Sequence, residues 1–439
     1  MKPATGDRIS FALKGQQLTG TVVNEERGKL VLKLDTGYNI AVAPSELKDV
    51  KEENEKKDGK KNEKRGEHAT KEKANEERKE IRDDKLPGIT ILHTGGTIAS
   101  KVDYATGAVV AKFTAEEIVG LFPELGAIAD ISSTLIRNMQ SDDMRFSHYN
   151  LIGEAVVKAI GDGAAGVIVT HGTDTLHYTA AALGFMLENV PIPVVLVGSQ
   201  RSSDRGSSDA ASNLIAACRF IVQSGAPGVY VCMHESSGDG SSMIIDGFHA
   251  RKMHSSRRDA FRSVNAAPFV VVQDGTVVAA NRAKPAGKLR LLPFNPKLKV
   301  GMVYLHPHLY AKDVESFDGY DGLVLLGTGL GHAPITRVDE FCDEHPKILK
   351  AVEALAKRMP VVMATQAIYG RVNMDVYSPG RALQEAGVLG QGCDMTPETA
   401  FIKLAWLLSN YPVAEARKLY GTSLRGEISA RSDERGFEE

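Results

Sequence analysis

The chain has 439 residues, too many for one ordinary hydrophobic core, so two or three domains are expected. Hydrophobic residues make up 43% and charged residues 25%, a globular balance, and a formal net charge of -2 excludes a polybasic nucleic-acid binder. No apolar run approaches the roughly 20 residues that cross a bilayer, no basic-then-apolar leader opens MKPATGDRIS, and Cys218, Cys232, Cys342 and Cys393 form no C-x-x-C pair; a reducing cytoplasm without disulfides or a zinc site is expected.

Residues 1–50 read as a small β unit. Apolar residues alternate in RISFAL, LTGTVV, KLVLKL and YNIAV, and Gly28 and Thr36–Gly37 sit where hairpin turns belong. Four or five short strands in so few residues predict an SH3-like small barrel. Such barrels dock nucleic acid or protein, or serve as spacers, and the fold does not choose among these. The charged stretch that begins at Lys48 has almost no apolar residues. It cannot bury enough surface to offset its ordering entropy, so residues 51–86 are expected to be a solvated linker.

From residue 87 the texture becomes α/β. GITILHT, GVIVTHG, IPVVLVG, GVYVCMH and FVVVQD read as buried parallel-type strands. NLIGEAVVKAI, TLHYTAAALGFMLENV and DAASNLIAACRFIVQSG read as covering helices. The pattern predicts a doubly wound parallel sheet over 87–290, with ligands beyond the carboxyl ends of its strands. The Pro- and Lys-rich stretch near 285–300 reads as a domain connection. A smaller α/β domain over 291–439 follows, with strands in VGMVYLHP, GLVLLGTG and MPVVMATQ and helices in PKILKAVEALAKRM and TPETAFIKLAWLLSN. GTGLGH lacks the G-x-G-x-x-G pattern and its context, and reads as a turn rather than a nucleotide loop. The charged last ten residues are expected to fray.

Two segments carry candidate chemistry. ITILHTGGTIAS puts Thr94, Gly95, Gly96 and Thr97 directly after a buried strand. Glycine there permits a sharp turn and a close approach of backbone to ligand, and adjacent N–H groups suit an oxyanion. VIVTHGTDTLHYTA repeats the arrangement with Thr170, His171, Gly172, Thr173, Asp174 and Thr175. Each alone also fits a plain βα turn with a capping residue. Together they place two hydroxyl-bearing loops at one sheet edge, which favours an active site. A threonine nucleophile needs a base. His93, His171 and His177 flank the loops without evident triad partners and fit structural roles. A buried lysine is the other option, and Lys252 is one candidate that spacing alone does not select.

TGGTIAS and THGTDT resemble the two signature motifs of the bacterial and archaeal L-asparaginase/glutaminase family. NMQSDDM, VVLVGSQRSSDRGSSDAASNL and RKMHSSRRDAFRSVN extend the resemblance from about Gly88 to Leu407. It implies an asparaginase-like pair of α/β domains and a nucleophile at Thr97. It also implies proton handling by Thr173, Asp174 and Lys252, and substrate binding by Ser141, by Asp142 where glutamine is usual, and by Tyr104, whose spacing is short. The 86 residues before the first motif, with ATQAIYGRVNMDVYS and DMTPETAFIKLAWLL, are similar to the D subunits of archaeal Glu-tRNA(Gln) amidotransferases. That likeness implies a glutaminase that feeds ammonia to a tRNA-binding, ATP-dependent partner subunit. It implies no metal or cofactor in this chain, ATP and Mg in the partner, Glu-tRNA(Gln) held mainly by the partner, and a homodimer within a heterotetramer. The alternatives are a free-standing asparaginase with an accessory domain and a non-enzymatic RNA-binding module.

Overall fold

The computed structural model describes residues 3, 7–13, 16–26, 29–34, 39–52, 86–95, 98, 101–102, 109–110, 114–201, 208–278, 281–432 and 437. Gly28, Thr36–Gly37 and most of the charged stretch lie outside them. The chain divides into two compact units: Met1–Pro87 with Ser100–Lys112 and Ser202–Ser208, and the remainder from Gly88 to Glu439.

The first unit is built on an antiparallel sheet of β1 (Arg8–Leu13), β2 (Gln16–Glu26), β3 (Lys29–Leu34), β4 (Asn39–Val42) and β5 (Lys48–Glu52). Its order is β4-β3-β2-β1-β5. Alternate residues Ile9, Phe11, Val22, Leu30, Leu32 and Val42 form its core, as a period of two requires. The charged stretch begins inside the sheet, and the linker expected from residue 51 starts after Glu52. KDVKE is a strand paired with β1 through Ile9↔Glu52 and Ala12↔Lys48. It lies at the sheet edge, where charged side chains are tolerated and guard against further pairing.

The second unit is organised by an eight-stranded sheet. Its strands are β6 (Gly88–Gly95), β7 (Asp130–Met139), β8 (Gly166–Thr170), β9 (Pro193–Val197), β10 (Gly228–His234), β11 (Ser241–Asp246), β12 (Val270–Gln273) and β13 (Thr276–Val277). Their order is β13-β12-β11-β10-β9-β8-β6-β7. β7, β6, β8, β9 and β10 are parallel, and the middle ones are buried on both faces, hence their unbroken apolar runs. FVVVQD departs from expectation: β12 pairs antiparallel with β11, and only alternate residues of it are buried. β7 was not anticipated, because this edge strand is mostly polar or exposed.

Helices α1 (Phe146–Gly161), α2 (Leu176–Met186) and α3 (Ala210–Ser224) cover the sheet. α1 buries Tyr149, Ile152, Val156 and Ala159, three and four apart on one face. The connection near 285–300 is packed rather than loose: Arg290–Leu291 pairs with Leu187–Glu188, and Phe294 is buried. A parallel three-stranded sheet follows, of β14 (Val300–Tyr304), β15 (Gly322–Gly327) and β16 (Val361–Thr365), flanked by α4 (His345–Arg358) and α5 (Pro397–Asn410). GTGLGH is a tight turn, closed by Thr328 pairing with His332. α5 packs against α2, with Phe185 stacked on Trp406 at 5.3 Å, so the two α/β parts share a core. At the C-terminus the expected fraying is not complete, since Arg371 Nε donates to Ser432 Oγ at 3.2 Å.

Candidate active site

The winding of the large sheet fixes where a site belongs. After β6 the chain places β7 on one side of β6 and then β8 on the other. The carboxyl ends of β7, β6 and β8 therefore meet where the winding reverses, which is where open α/β sheets bind ligands. The NMQSDD, TGGT and THGTDT segments leave from these three ends.

The strand ends are fastened together. Thr94 Oγ1 donates to the Thr170 carbonyl at 2.9 Å, and His93 Nδ1 lies 2.8 Å from Thr170 Oγ1. Gly95 has φ +114°, and a Cβ there would overlap the backbone of Met139. Only glycine fits this crossing of the first loop and the end of β7. Gly96, Thr97 and Tyr104 lie outside the described residues. Ile98, next to Thr97, is buried in the core.

In the second loop Gly172 packs directly on Ser141; a Cβ would come within 2.9 Å of its Cβ and Oγ. Thr175 Oγ1 donates to the Ser141 carbonyl at 2.6 Å. Ser141 is thus held buried at the second loop, while Asp142 beside it is exposed. Gly198 leaves room for Thr173, whose Cγ2 a Cβ would meet at 2.7 Å.

Lys252 arrives from a short antiparallel ribbon, Ala250–Lys252 with Phe261–Ser263. Its Nζ donates to Thr173 Oγ1 at 2.8 Å and to Asp174 Oδ1 at 2.7 Å. The Lys252 side chain is 10% exposed and that of Asp174 is 64% exposed, so the cluster is walled on one side and open to solvent on the other. The turn that joins the two ribbon strands is ordered by Asp259, buried and gripped by Arg257 Nη2 at 2.7 Å and Arg262 Nη2 at 3.2 Å. The Arg257 hydrogen bond, followed by those of Arg262, holds the Asp259 carboxyl well below the usual carboxylate range against the opposing effect of burial.

The histidines are occupied elsewhere. His171 is buried, with Nδ1 at 2.7 Å from the Gly172 carbonyl and Nε2 at 2.8 Å from Thr179 Oγ1. Burial pushes it down to about 4, against the Gly172 bond, and His93 and His177 are likewise brought to about 4 by burial. At neutral pH all three are uncharged and help to shape the loops.

Thr173, Asp174 and Lys252 are therefore brought into contact, and Ser141 is packed beside their loop. Three further groups were missed. Asp209, fully buried, accepts from the N–H groups of Gln200 and Arg201, which closes the base of the loop after β9. The half-buried Arg251 and the buried Glu398 form an ion pair next to Lys252. RKM and TPETAF contain these residues, yet nothing in their local spacing pairs two positions 147 residues apart. Among the described residues no cluster of His, Cys, Asp and Glu is arranged to hold a metal ion, and no helix is long and apolar enough to cross a membrane.

Comparison with known proteins agrees with this fold. Residues 88–285 match the N-terminal asparaginase family, 299–419 the glutaminase/asparaginase C-terminal domain, and 4–51 the GatD N-terminal domain. The D subunit of glutamyl-tRNA(Gln) amidotransferase from Pyrococcus furiosus is 44% identical over 414 residues, 92% of this chain and 88% of that protein. The D subunit from Methanococcus maripaludis is 39% identical over 440 residues, 97% of this chain and 98% of that one. Among solved structures, the thermostable L-asparaginase from Thermococcus kodakarensis superposes with a TM-score of 0.70 at 34% identity, covering 78% of this chain and 100% of that one. The loops, the lysine ribbon and the added β unit thus go together: the chain belongs to the family of glutamyl-tRNA(Gln) amidotransferase D subunits, built on an asparaginase fold.

Proposed function

We propose that this chain is the ammonia-generating subunit of a tRNA-dependent amidotransferase, hydrolysing the side-chain amide of glutamine. Thr97 attacks the amide carbon, ammonia leaves, and water then releases glutamate from the acylated threonine. A threonine hydroxyl must shed its proton as it attacks. Thr173 Oγ and Lys252 Nζ take up that proton and return one to the departing nitrogen. Asp174 holds Lys252 and turns its open side toward the substrate's α-ammonium group. Ser141 binds the α-carboxylate, Asp142 contributes at the amino end, and Tyr104 orients Thr97. The chain needs no cofactor of its own. ATP and Mg belong with the partner subunit that binds Glu-tRNA(Gln) and consumes the ammonia, and the complex contains a dimer of this chain.

The observation that carries the reading is the bridge from Lys252 to both Thr173 and Asp174, at 2.8 and 2.7 Å. It joins an amine, a hydroxyl and a carboxylate on two elements that the chain brings together from 78 residues apart. The test is ammonia release from glutamine and from asparagine, with and without the partner subunit and Glu-tRNA(Gln). Low release by the chain alone and a large rise with partner and tRNA are expected. Full release without either identifies a free-standing amidohydrolase instead.

A further inference from the structure

The start of α5 is anchored on both elements that supply the lysine cluster. Glu398 stands in the first turn of α5, whose cap, Thr396, accepts from Thr399 N at 3.2 Å through its hydroxyl. Its carboxylate is buried and receives a forked guanidinium: Arg251 Nε lies 3.1 and 3.0 Å from its two oxygens, and Nη2 lies 3.0 Å from Oε1. His177 Nε2, on the helix that begins directly after the second loop, is 3.9 Å from the same Oε1. One residue further along α5, Thr399 Oγ1 donates to the Phe248 carbonyl at 2.8 Å, just before the Lys252 ribbon. One helix start thus touches the ribbon that carries Lys252 and the helix that follows Thr173 and Asp174.

Adjacent residues of a strand point to opposite faces. Arg251 and Lys252 are such neighbours in the ribbon. Clamping the planar Arg251 fork on one face fixes the twist that aims Lys252 toward the other. The lysine stem itself has four rotatable carbons and sets no direction unaided. Burial opposes the Glu398 charge, but the Arg251 hydrogen bonds outweigh it, leaving its carboxyl below the usual range. The clamp is therefore a fixed ion pair at neutral pH.

We propose that Glu398 is a positioning residue: through Arg251 it sets the placement of Lys252 against Thr173 and Asp174. This rests on the reading of those three residues as the proton-handling set. Glu398 touches neither substrate nor reacting atoms. Removing it loosens the aim of Lys252 without emptying the substrate pocket.

The test uses the full chain with its partner subunit and Glu-tRNA(Gln), and reads glutamine-dependent ammonia release alongside thermal melting. In Glu398→Gln, kcat is expected to fall about 10- to 100-fold, the scale of a misplaced supporting group, with KM changed less than about threefold. Arg251→Lys keeps the charge but loses the fork, and is expected to show the same split; it also serves if Glu398→Gln is insoluble. The double variant Arg251→Lys/Glu398→Gln is expected to be no worse than either single change, because both break one contact. Leu355→Ala in α4, buried in the separate core of the small sheet, controls for lost stability, lowering the melting point while keeping kcat.

A wild-type kcat in both Glu398→Gln and Arg251→Lys overturns the proposal, as does a loss of kcat in Leu355→Ala that matches theirs at equal melting loss. Lys252→Met separates the two levels of the account. If Lys252→Met is inactive while both clamp variants work normally, positioning alone fails. If Lys252→Met retains wild-type activity, the reading of the cluster fails and this inference with it.

Discussion

Lys252 and Lys403 each meet a carboxylate, and their surroundings differ in everything else. Lys252 Nζ reaches Asp174 at 2.7 Å, but Asp174 is largely exposed and a hydroxyl shares the amine. Lys403 Nζ reaches Glu427 at 2.6 Å with both side chains at 0% exposure, and it also donates to the Thr422 carbonyl at 2.7 Å. Glu427 in turn accepts from the backbone N–H groups of Leu424 and Arg425. Burial lowers the Lys403 ammonium, and Glu427 opposes that shift. The sealed pair ties the C-terminal segment to α5 and has no route to a substrate. The open pair has both a wall and a mouth, which acid–base chemistry on a small molecule needs. A lysine–carboxylate contact is therefore not itself a sign of function; the open pair stands out by a buried amine that a hydroxyl shares beside an exposed carboxylate.

The largest expected effect breaks the open pair. Lys252→Met should lower kcat for glutamine by about 100- to 10,000-fold, the range for losing a general acid–base group, while the melting point moves little. Steady-state ammonia assays with calorimetry check both. The sealed pair should respond the other way: Lys403→Met leaves an uncompensated buried Glu427 and should cost roughly 3–5 kcal/mol of stability, with kcat retained below the lowered melting point. A similar effect on both quantities in both variants would erase the distinction.

The next effect comes from acid. His171 falls to about 4 in the folded chain through burial, below the ordinary value of 6.5. Above pH 6.5 the imidazole is neutral folded and unfolded, so its environment costs nothing. As pH drops from 6.5 toward 4 the unfolded chain takes up the proton first, and stability falls. One such residue accounts for about 3 kcal/mol at saturation, with His93 and His177 acting in the same direction. Chemical denaturation between pH 7 and 4 should show this loss, and His171→Gln should reduce it. The smallest effect is steric: Gly172→Ala presses a methyl group onto Ser141 and should cost about 1–3 kcal/mol. It should appear mainly as a raised KM for glutamine if Ser141 binds the substrate as proposed.

The framework was legible where physical chemistry is local. Buried parallel strands need unbroken apolar runs, so β6, β8, β9 and β10 could be read from the chain, and with them the glycine–threonine loops at their ends. The edges were less legible. β5 is charged and β7 mostly polar, because an edge strand need not bury both faces. β12 has the apolar look of a parallel strand yet pairs antiparallel, since partner direction is set by the long connection through the Lys252 ribbon and not by composition. Within the site, Thr173 and Asp174 announced themselves by following a strand and a glycine. Lys252 did not: a three-residue ribbon leaves no periodic trace, and only resemblance to a family selected it. Glu398 and Asp209 stayed hidden because burial, not spacing, makes their charges informative.

The central claim is that the first loop delivers a threonine nucleophile to the amine–hydroxyl–carboxylate cluster that the second loop forms with the Lys252 ribbon. The most direct measurement is glutamine-dependent ammonia release by Thr97→Val, assayed with the partner subunit and Glu-tRNA(Gln) and with the fold checked by circular dichroism. The account predicts no release above background from a normally folded variant. Release at the wild-type rate would contradict it.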